Sequence, residues 1–144
     1  MVATMDRFVL QENELNILCE LLKKTLHIGS IVLLQGDIGS GKTTLVRSFI
    51  ESFGTDSIVG SPTFSLVLSY ENAQYGSIYH YDMYRKTLQD MLELGLLDML
   101  MNEGVHFVEW GEENLHQLLA QNGFSVSRIA ITSNENNRIY EVSL

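Results

Sequence analysis

The chain has 144 residues, 45% apolar and 19% charged, a composition that suits a single folded domain spanning 1–144 rather than a disordered chain. Its formal net charge of -9, with nine scattered basic residues, argues against direct wrapping of nucleic acid, because phosphate neutralisation needs clustered Lys and Arg. No DNA contact is expected, and any link to RNA should run through a partner protein. The one cysteine, Cys19, rules out an internal disulfide framework and a cysteine-based zinc site. Asp6 and Arg7 stand where a secretory leader would be apolar, and no apolar run approaches the ~20 residues of a membrane span. The expected address is therefore cytoplasmic, without membrane contact.

Arg7-Phe8-Val9-Leu10 reads as a short first strand or lead-in. From Glu12 to about Leu26 the residues Leu15, Leu18, Leu22 and Leu26 recur at helical spacing, and Gly29 ends that helix. Ile31-Val32-Leu33-Leu34 is a continuous apolar run of the kind found in a strand buried on both faces. A glycine-rich loop follows, then a helix from Thr43 to Phe53 that stops at Gly54. Gly60-Ser61-Pro62 reads as a loop, and Phe64 to Tyr70 and Ser77 to Tyr84 as strands joined by a hairpin around Asn72 and Gly76. Leu88 to Met101 is helical with a break at Gly95, Val105 to Val108 is another buried strand, and Gly111 to Leu119 is a helix closed by Gly123. Val126 to Thr132 and Arg138 to Val142 form a closing antiparallel hairpin around 134–137. The expected fold is one α/β domain resembling a P-loop NTPase, with a mixed central sheet flanked by helices.

The segment Gly36-Asp37-Ile38-Gly39-Ser40-Gly41-Lys42-Thr43 matches Gly-x4-Gly-Lys-Thr and lies between a predicted buried strand and a predicted helix, the context that gives the motif its meaning. Glycines at 36, 39 and 41 permit backbone angles and close approaches that a Cβ would block. Successive amides can then point at phosphate oxygens, and the positive end of the following helix adds to their field. Lys42 offers a point charge to the β- and γ-phosphates, the Thr43 hydroxyl is placed for magnesium, and Thr44 adds a hydroxyl near the α-phosphate. No Asn-Lys-x-Asp segment for guanine and no Asp-x-x-Gly switch is present, so ATP with Mg2+ is the expected ligand.

A magnesium-nucleotide site also needs an acid at the end of a neighbouring strand. Glu109, closing Val105-His106-Phe107-Val108-Glu109, reaches the same edge as the loop if the two strands run parallel. The residues alone leave open whether Glu109 holds the metal, polarises water, or is a solvated acid at a strand end. Trp110 follows at once and either packs on the nucleotide site or joins the core. In Tyr79-His80-Tyr81-Asp82-Met83-Tyr84-Arg85, alternation puts His80, Asp82 and Tyr84 on one strand face. Asp82 is a candidate to orient water or reach the metal, against the alternative of a polar solvent face. A His80–Asp82 zinc site lacks a third convergent ligand.

Taken in order, Gly36 to Arg47, Ser61-Pro62-Thr63-Phe64-Ser65-Leu66-Val67, Tyr79 to Arg85, Leu94-Gly95-Leu96 and Val108-Glu109-Trp110 resemble the bacterial TsaE family, also called YjeE, over about residues 7 to 142. That resemblance implies a P-loop ATPase required for threonylcarbamoylation of adenosine 37 in tRNAs that read codons starting with A. It implies a protein that binds the transferase heterodimer TsaD–TsaB and uses ATP to support repeated turnover, meeting tRNA only indirectly. Lys42 and Thr43 keep their roles, Glu109 becomes the magnesium acid and Asp82 an acid important for hydrolysis. Thr63 falls in a switch-like loop near the γ-phosphate, Trp110 matches the Trp beside the acid, and nucleotide contacts are implied near Glu12 and at Arg138. The chain departs from the pattern at Gly111, where Pro is frequent and a looser segment is expected, at Leu15 and at Asn137.

On this reading Lys42, Asp82 and Glu109 carry the chemistry. No arginine finger is evident, Arg85 being the nearest in sequence, so hydrolysis without a partner should be slow. The rival is a P-loop small-molecule kinase, which usually needs an Arg-rich lid; the five arginines here do not cluster. A nucleotide-gated binding module is the third possibility.

Overall fold

Ile31, Val32, Leu33 and Leu34 are wholly buried because their strand, β2 (Ser30–Gln35), lies inside the sheet with parallel neighbours on both sides. A computed structural model describes residues 5–54, 60–64 and 66–144, and for 60–64 the backbone alone. The remaining strands are β1 (Met5–Leu10), β3 (Gly60–Phe64), β4 (Val67–Asn72), β5 (Gly76–Asp82), β6 (Val105–Glu109), β7 (Ser125–Ser133) and β8 (Arg138–Ser143). Among the described residues they form one sheet in the order β1-β8-β7-β2-β6-β5-β4-β3. The four central strands β7, β2, β6 and β5 run parallel, and antiparallel pairs extend the sheet at both edges.

Helices cover both faces. Strand alternation sends Val32 and Leu34 to one side, where they meet α1 (Leu15–Thr25) and α2 (Lys42–Glu51) through Leu18, Leu22, Leu45 and Phe49. Ile31 and Leu33 go to the other, against α3 (Leu88–Glu93), α4 (Leu96–Leu100) and α5 (Glu113–Gln121) through Met91, Leu96, Leu115 and Leu119. This is the expected P-loop-type α/β arrangement with a mixed sheet and a closing hairpin of β7 and β8. Among the described residues no helix is long and apolar enough to cross a membrane.

Several boundaries differ from the expectation: the first helix proper begins at Leu15 after a short 3-10 turn at Glu12–Glu14, α2 ends at Glu51, and β5 ends at Asp82, leaving Tyr84 beyond the strand. Gly60-Ser61-Pro62 is not a loop but the start of β3, which pairs with β4. Among the described residues β3 is the last strand of the sheet, a setting in which sheets admit a proline such as Pro62. The single strand expected from Phe64 to Tyr70 is two: β3 ends at Phe64 and β4 begins at Val67, since antiparallel pairing requires the chain to reverse between them. The last long helix starts at Glu113 rather than Gly111, because Gly111 is tied to the sheet edge by a hydrogen bond from Gln35 Nε2 to its carbonyl, 2.9 Å.

Candidate functional site

β2, β5 and β6 are parallel and end at one edge, with Leu34 level with Glu109 and Glu109 level with Asp82. The glycine-rich loop leaves β2 at this edge and enters α2. Carboxylates from two neighbouring strands therefore stand beside the loop, at the end of a parallel sheet where crevices for ligands form.

The loop conformation depends on its glycines. Gly36 has φ +150°, and a Cβ there would lie 2.6 Å from the carbonyl oxygen of Ile131. Gly41 has φ +110°, and a Cβ there would lie 2.7 Å from Arg138 Nη1. The first hydrogen bond joining α2 runs from the Leu45 amide to the Gly41 carbonyl, 3.0 Å. The amides of Lys42, Thr43 and Thr44 thus stand ahead of the helical ladder, at the positive end of the helix.

Lys42 is 4% exposed. Its ammonium donates to the carbonyls of Gly36 (2.7 Å) and Asp37 (3.0 Å) and lies 3.4 Å from Ser40 Oγ. Burial pushes its pKa below that of an ordinary lysine, and the charges of Glu109, Asp37 and Asp82 oppose that shift. The Trp110 ring covers the ammonium, its centroid 3.9 Å from Nζ, a cation–π contact. Trp110 reaches this position from a left-handed backbone, φ +68°, with its amide donating to the Leu34 carbonyl at 3.0 Å. It also packs on Tyr84, 4.9 Å between centroids, and on the core cluster beneath, so it belongs to both the site and the core.

Glu109 is 5% exposed and is the best-anchored acid of the site. Thr43 Oγ1 lies 2.8 Å from Oε2 and 3.0 Å from Oε1, and His80 Nε2 contacts Oε2. Burial acts to raise the Glu109 pKa, but hydrogen bonds from His80 and Thr43 and the charges of His80 and Lys42 outweigh it, holding the carboxyl below its usual range. Asp82 is exposed at the strand end, its Oδ1 accepting from the Tyr84 amide at 3.1 Å.

A cleft of about 380 Å³ collects these groups. It is lined by Ile38, Gly39, Gly41, Lys42, Thr43, Thr44, Asp82, Tyr84, Glu109, Trp110 and Arg138. The Arg138 Nη1 atom is buried and has no hydrogen-bond partner among the described residues. Arg138 also borders a second hollow of about 250 Å³, which contains Glu12 and the turn between β7 and β8. Glu12 is thus set one hollow away from the phosphate-type loop. Gly36, Asp37 and Ser40 line a third hollow on the far side of the loop, together with Ile131 and Thr132. Thr63, expected in a switch-like loop, lies instead within β3, because this segment pairs with β4; its backbone sits at the register shift between Pro62 and Phe64, and its side chain falls outside the described residues. Arg85, the finger candidate nearest in sequence, instead stacks its guanidinium over Tyr84 at 5.1 Å. Gly111 is buried rather than loose: a Cβ there would lie 2.8 Å from Leu33 Cδ2.

Sequence reasoning missed His80, having weighed it only as a zinc ligand. Its position two residues before Asp82 on one strand face was the available signal; which neighbour it would meet depends on strand pairing that the sequence does not spell out. As a set, the residues can hold an anion on the loop amides, Lys42 and Arg138, and a hard divalent cation on oxygens of Thr43 and Glu109.

Comparison with known proteins gives the family. The family model described as "Threonylcarbamoyl adenosine biosynthesis protein TsaE" matches residues 9–140. A Rickettsia felis protein named "tRNA threonylcarbamoyladenosine biosynthesis protein TsaE" is 40% identical over 109 residues, covering 74% of this chain and 63% of that protein. A Bacillus subtilis protein of the same name is 41% identical over 93 residues, 62% of this chain and 57% of the relative. The chain therefore spans about three fifths of the length of these relatives. The solved structure titled "Crystal structure of Bacillus subtilus YdiB" superposes with a TM-score of 0.70 at 21% identity, over 99% of this chain and 87% of that one, a likeness of fold. With the family model matching residues 9–140, most of its length, the chain belongs to the TsaE family.

Proposed function

We propose that the chain binds ATP with Mg2+ in the 380 Å³ cleft and hydrolyses it, supporting repeated rounds of threonylcarbamoylation of adenosine 37 in tRNA. The observation that carries this reading is the convergence of Lys42, the Thr43–Glu109 pair and Asp82 on one cleft at the end of three parallel strands. The fit to a magnesium triphosphate rests on two features. Among the described residues Arg138 Nη1 is a buried donor with no hydrogen-bond acceptor, and the α2 amides ahead of Leu45 stand outside the helical ladder.

When bound, magnesium would neutralise charge on the phosphates. Lys42 would exchange its carbonyl acceptors at Gly36 and Asp37 for phosphate oxygens, so the ammonium is already desolvated where charge develops. Thr43 and Glu109 would hold the metal. Asp82, exposed and two residues beyond His80 on the same strand face, would orient water. Positioning and fixed charge supply most of the acceleration in such chemistry. The family assignment supports the transferase heterodimer TsaD–TsaB as the partner, with tRNA met through it, and the cytoplasm as the place of action.

The test joins chemistry to biology. The purified chain should hydrolyse ATP slowly alone and faster with the heterodimer, and Lys42→Ala should abolish turnover. Cells depleted of the protein should lose threonylcarbamoyladenosine from their tRNA nucleosides by mass spectrometry. Unchanged modification refutes the role in tRNA, and full activity of Lys42→Ala refutes the site. Phosphate transfer to a metabolite without any partner would establish the kinase reading instead.

A further inference from the structure

We propose that His80 is a positioning residue for the divalent cation, acting through the carboxylate of Glu109; the inference rests on the nucleotide reading above. Thr43 Oγ1 lies within hydrogen-bond distance of both Glu109 oxygens, 2.8 and 3.0 Å, but a hydroxyl has one proton and serves one acceptor at a time. With Thr43 alone the carboxylate could turn about its last torsion, which for glutamate is broad. His80 Nε2 supplies the second donor, on Oε2, and leaves the Thr43 proton for Oε1. The two donors come from different elements, β5 and α2, so together they fix the plane of the carboxylate.

The pair is built rather than incidental. The side chains of His80 and Glu109 are 11% and 7% exposed. Parallel register puts His80 level with Phe107 and Asp82 level with Glu109, so His80 approaches the carboxylate from one strand step behind the cleft, on the face that also carries Asp82. Behind it, His80 faces a separate hollow between α2 and β4, beside Arg47 and Tyr70, and does not line the main cleft. It therefore has no direct route to the phosphates. Its influence on the cation passes through Glu109, while the loop amides, Lys42 and Arg138 grip the anion independently.

This separation makes the role measurable without turnover. Mn2+ binding to the full chain, followed by electron paramagnetic resonance in saturating ADP, reports the cation; calorimetry in EDTA reports metal-free nucleotide binding. Removing the donor with His80→Ala or His80→Leu should weaken Mn2+ binding by about 10- to 100-fold, the usual cost of losing a partner that orients a metal ligand. Metal-free nucleotide affinity should not move. His80→Gln, whose amide can still donate to Glu109, should recover most of the Mn2+ affinity and keeps the test open if the apolar variants do not fold. Folded variants that lack the donor and bind Mn2+ like the parent overturn the inference. So does an equal loss of metal-free nucleotide affinity, or a Gln variant no better than Ala. Failure of the parent itself to bind Mn2+ with nucleotide is a different result and refutes the proposed function.

Discussion

Replacing Thr43 with Val removes one hydroxyl while keeping the side-chain shape, and the structure predicts a pH-dependent loss of stability even without ligand. Thr43 supplies one of the two donors that hold the buried carboxylate of Glu109. A hydrogen bond to a charged group contributes roughly 1.5–3 kcal/mol, and because Thr43 is exposed and water can replace it, about 1.5 kcal/mol is expected. In urea, with slopes of about 1–3 kcal/mol/M, the midpoint should fall by roughly 0.5–1.5 M at neutral pH. The sign with pH follows from Glu109. Its folded-state pKa is depressed, so its contribution is fully present above the unfolded carboxyl value, roughly 4.3, and is lost as pH falls through the folded value. The penalty of Thr43→Val should therefore be complete at neutral pH and vanish at low pH. The Glu109 resonance should meanwhile titrate higher in the variant, by one unit for about each 1.4 kcal/mol lost. Urea melts at neutral and acid pH, with carboxyl titration by NMR, check both sides of this equality. An equal penalty at both pH values would show that the hydroxyl acts by packing and that the Thr43–Glu109 bond does not stabilise the fold.

Asp82→Asn keeps an oxygen to accept from the Tyr84 amide but removes the charge; hydrolysis should fall by ~100-fold or more while nucleotide affinity holds, and an unaffected rate would remove Asp82 from the chemistry. Gly111→Ala drives a methyl into Leu33 and should cost about 1–3 kcal/mol in thermal or urea unfolding, whereas an unchanged midpoint would mean the segment is looser than its contacts indicate. Trp110 is the only tryptophan and rests on the Lys42 ammonium, so nucleotide that draws Lys42 from the loop carbonyls should change its emission; a silent titration with binding verified by calorimetry would show that the two stay together.

Most of the fold was legible because its signals are local. Ile31 to Leu34 reads as a buried strand from an unbroken apolar run, and α1 from leucines at helical spacing; both depend on residues close in sequence. The break at Gly95, which has φ +84°, was legible for the same reason. The errors fell where distant pairing decides. Gly60-Ser61-Pro62 carries turn-forming residues, yet hydrogen bonding to β4 at an open edge makes it a strand. For the site, the loop motif carries its own geometry, and the ends of β2 and β6 were expected to share an edge if parallel, as they do. The contact between His80 and Glu109 was hidden because it joins residues 29 positions apart through the register of two strands.

The balance of charge in the cleft explains why this reading calls for a partner. Among the described lining residues two cations, Lys42 and Arg138, face two carboxylates, Asp82 and Glu109, so side chains alone offer no net positive charge. Attraction for a polyanion then rests on the loop amides, the end of α2 and the metal. On the proposed function one acid would serve the cation and the other water, and each reduces the positive potential that would stabilise the transferring phosphate. On the same proposal, further acceleration would come from positive charge that a partner brings to the cleft. The lining of the cleft includes Ile38, 73% exposed, and Tyr84, 37% exposed, apolar surface that a bound partner would take out of water. On the proposed function, slow hydrolysis alone and faster hydrolysis in a complex would both be expected of a site whose two side-chain cations are balanced by two carboxylates.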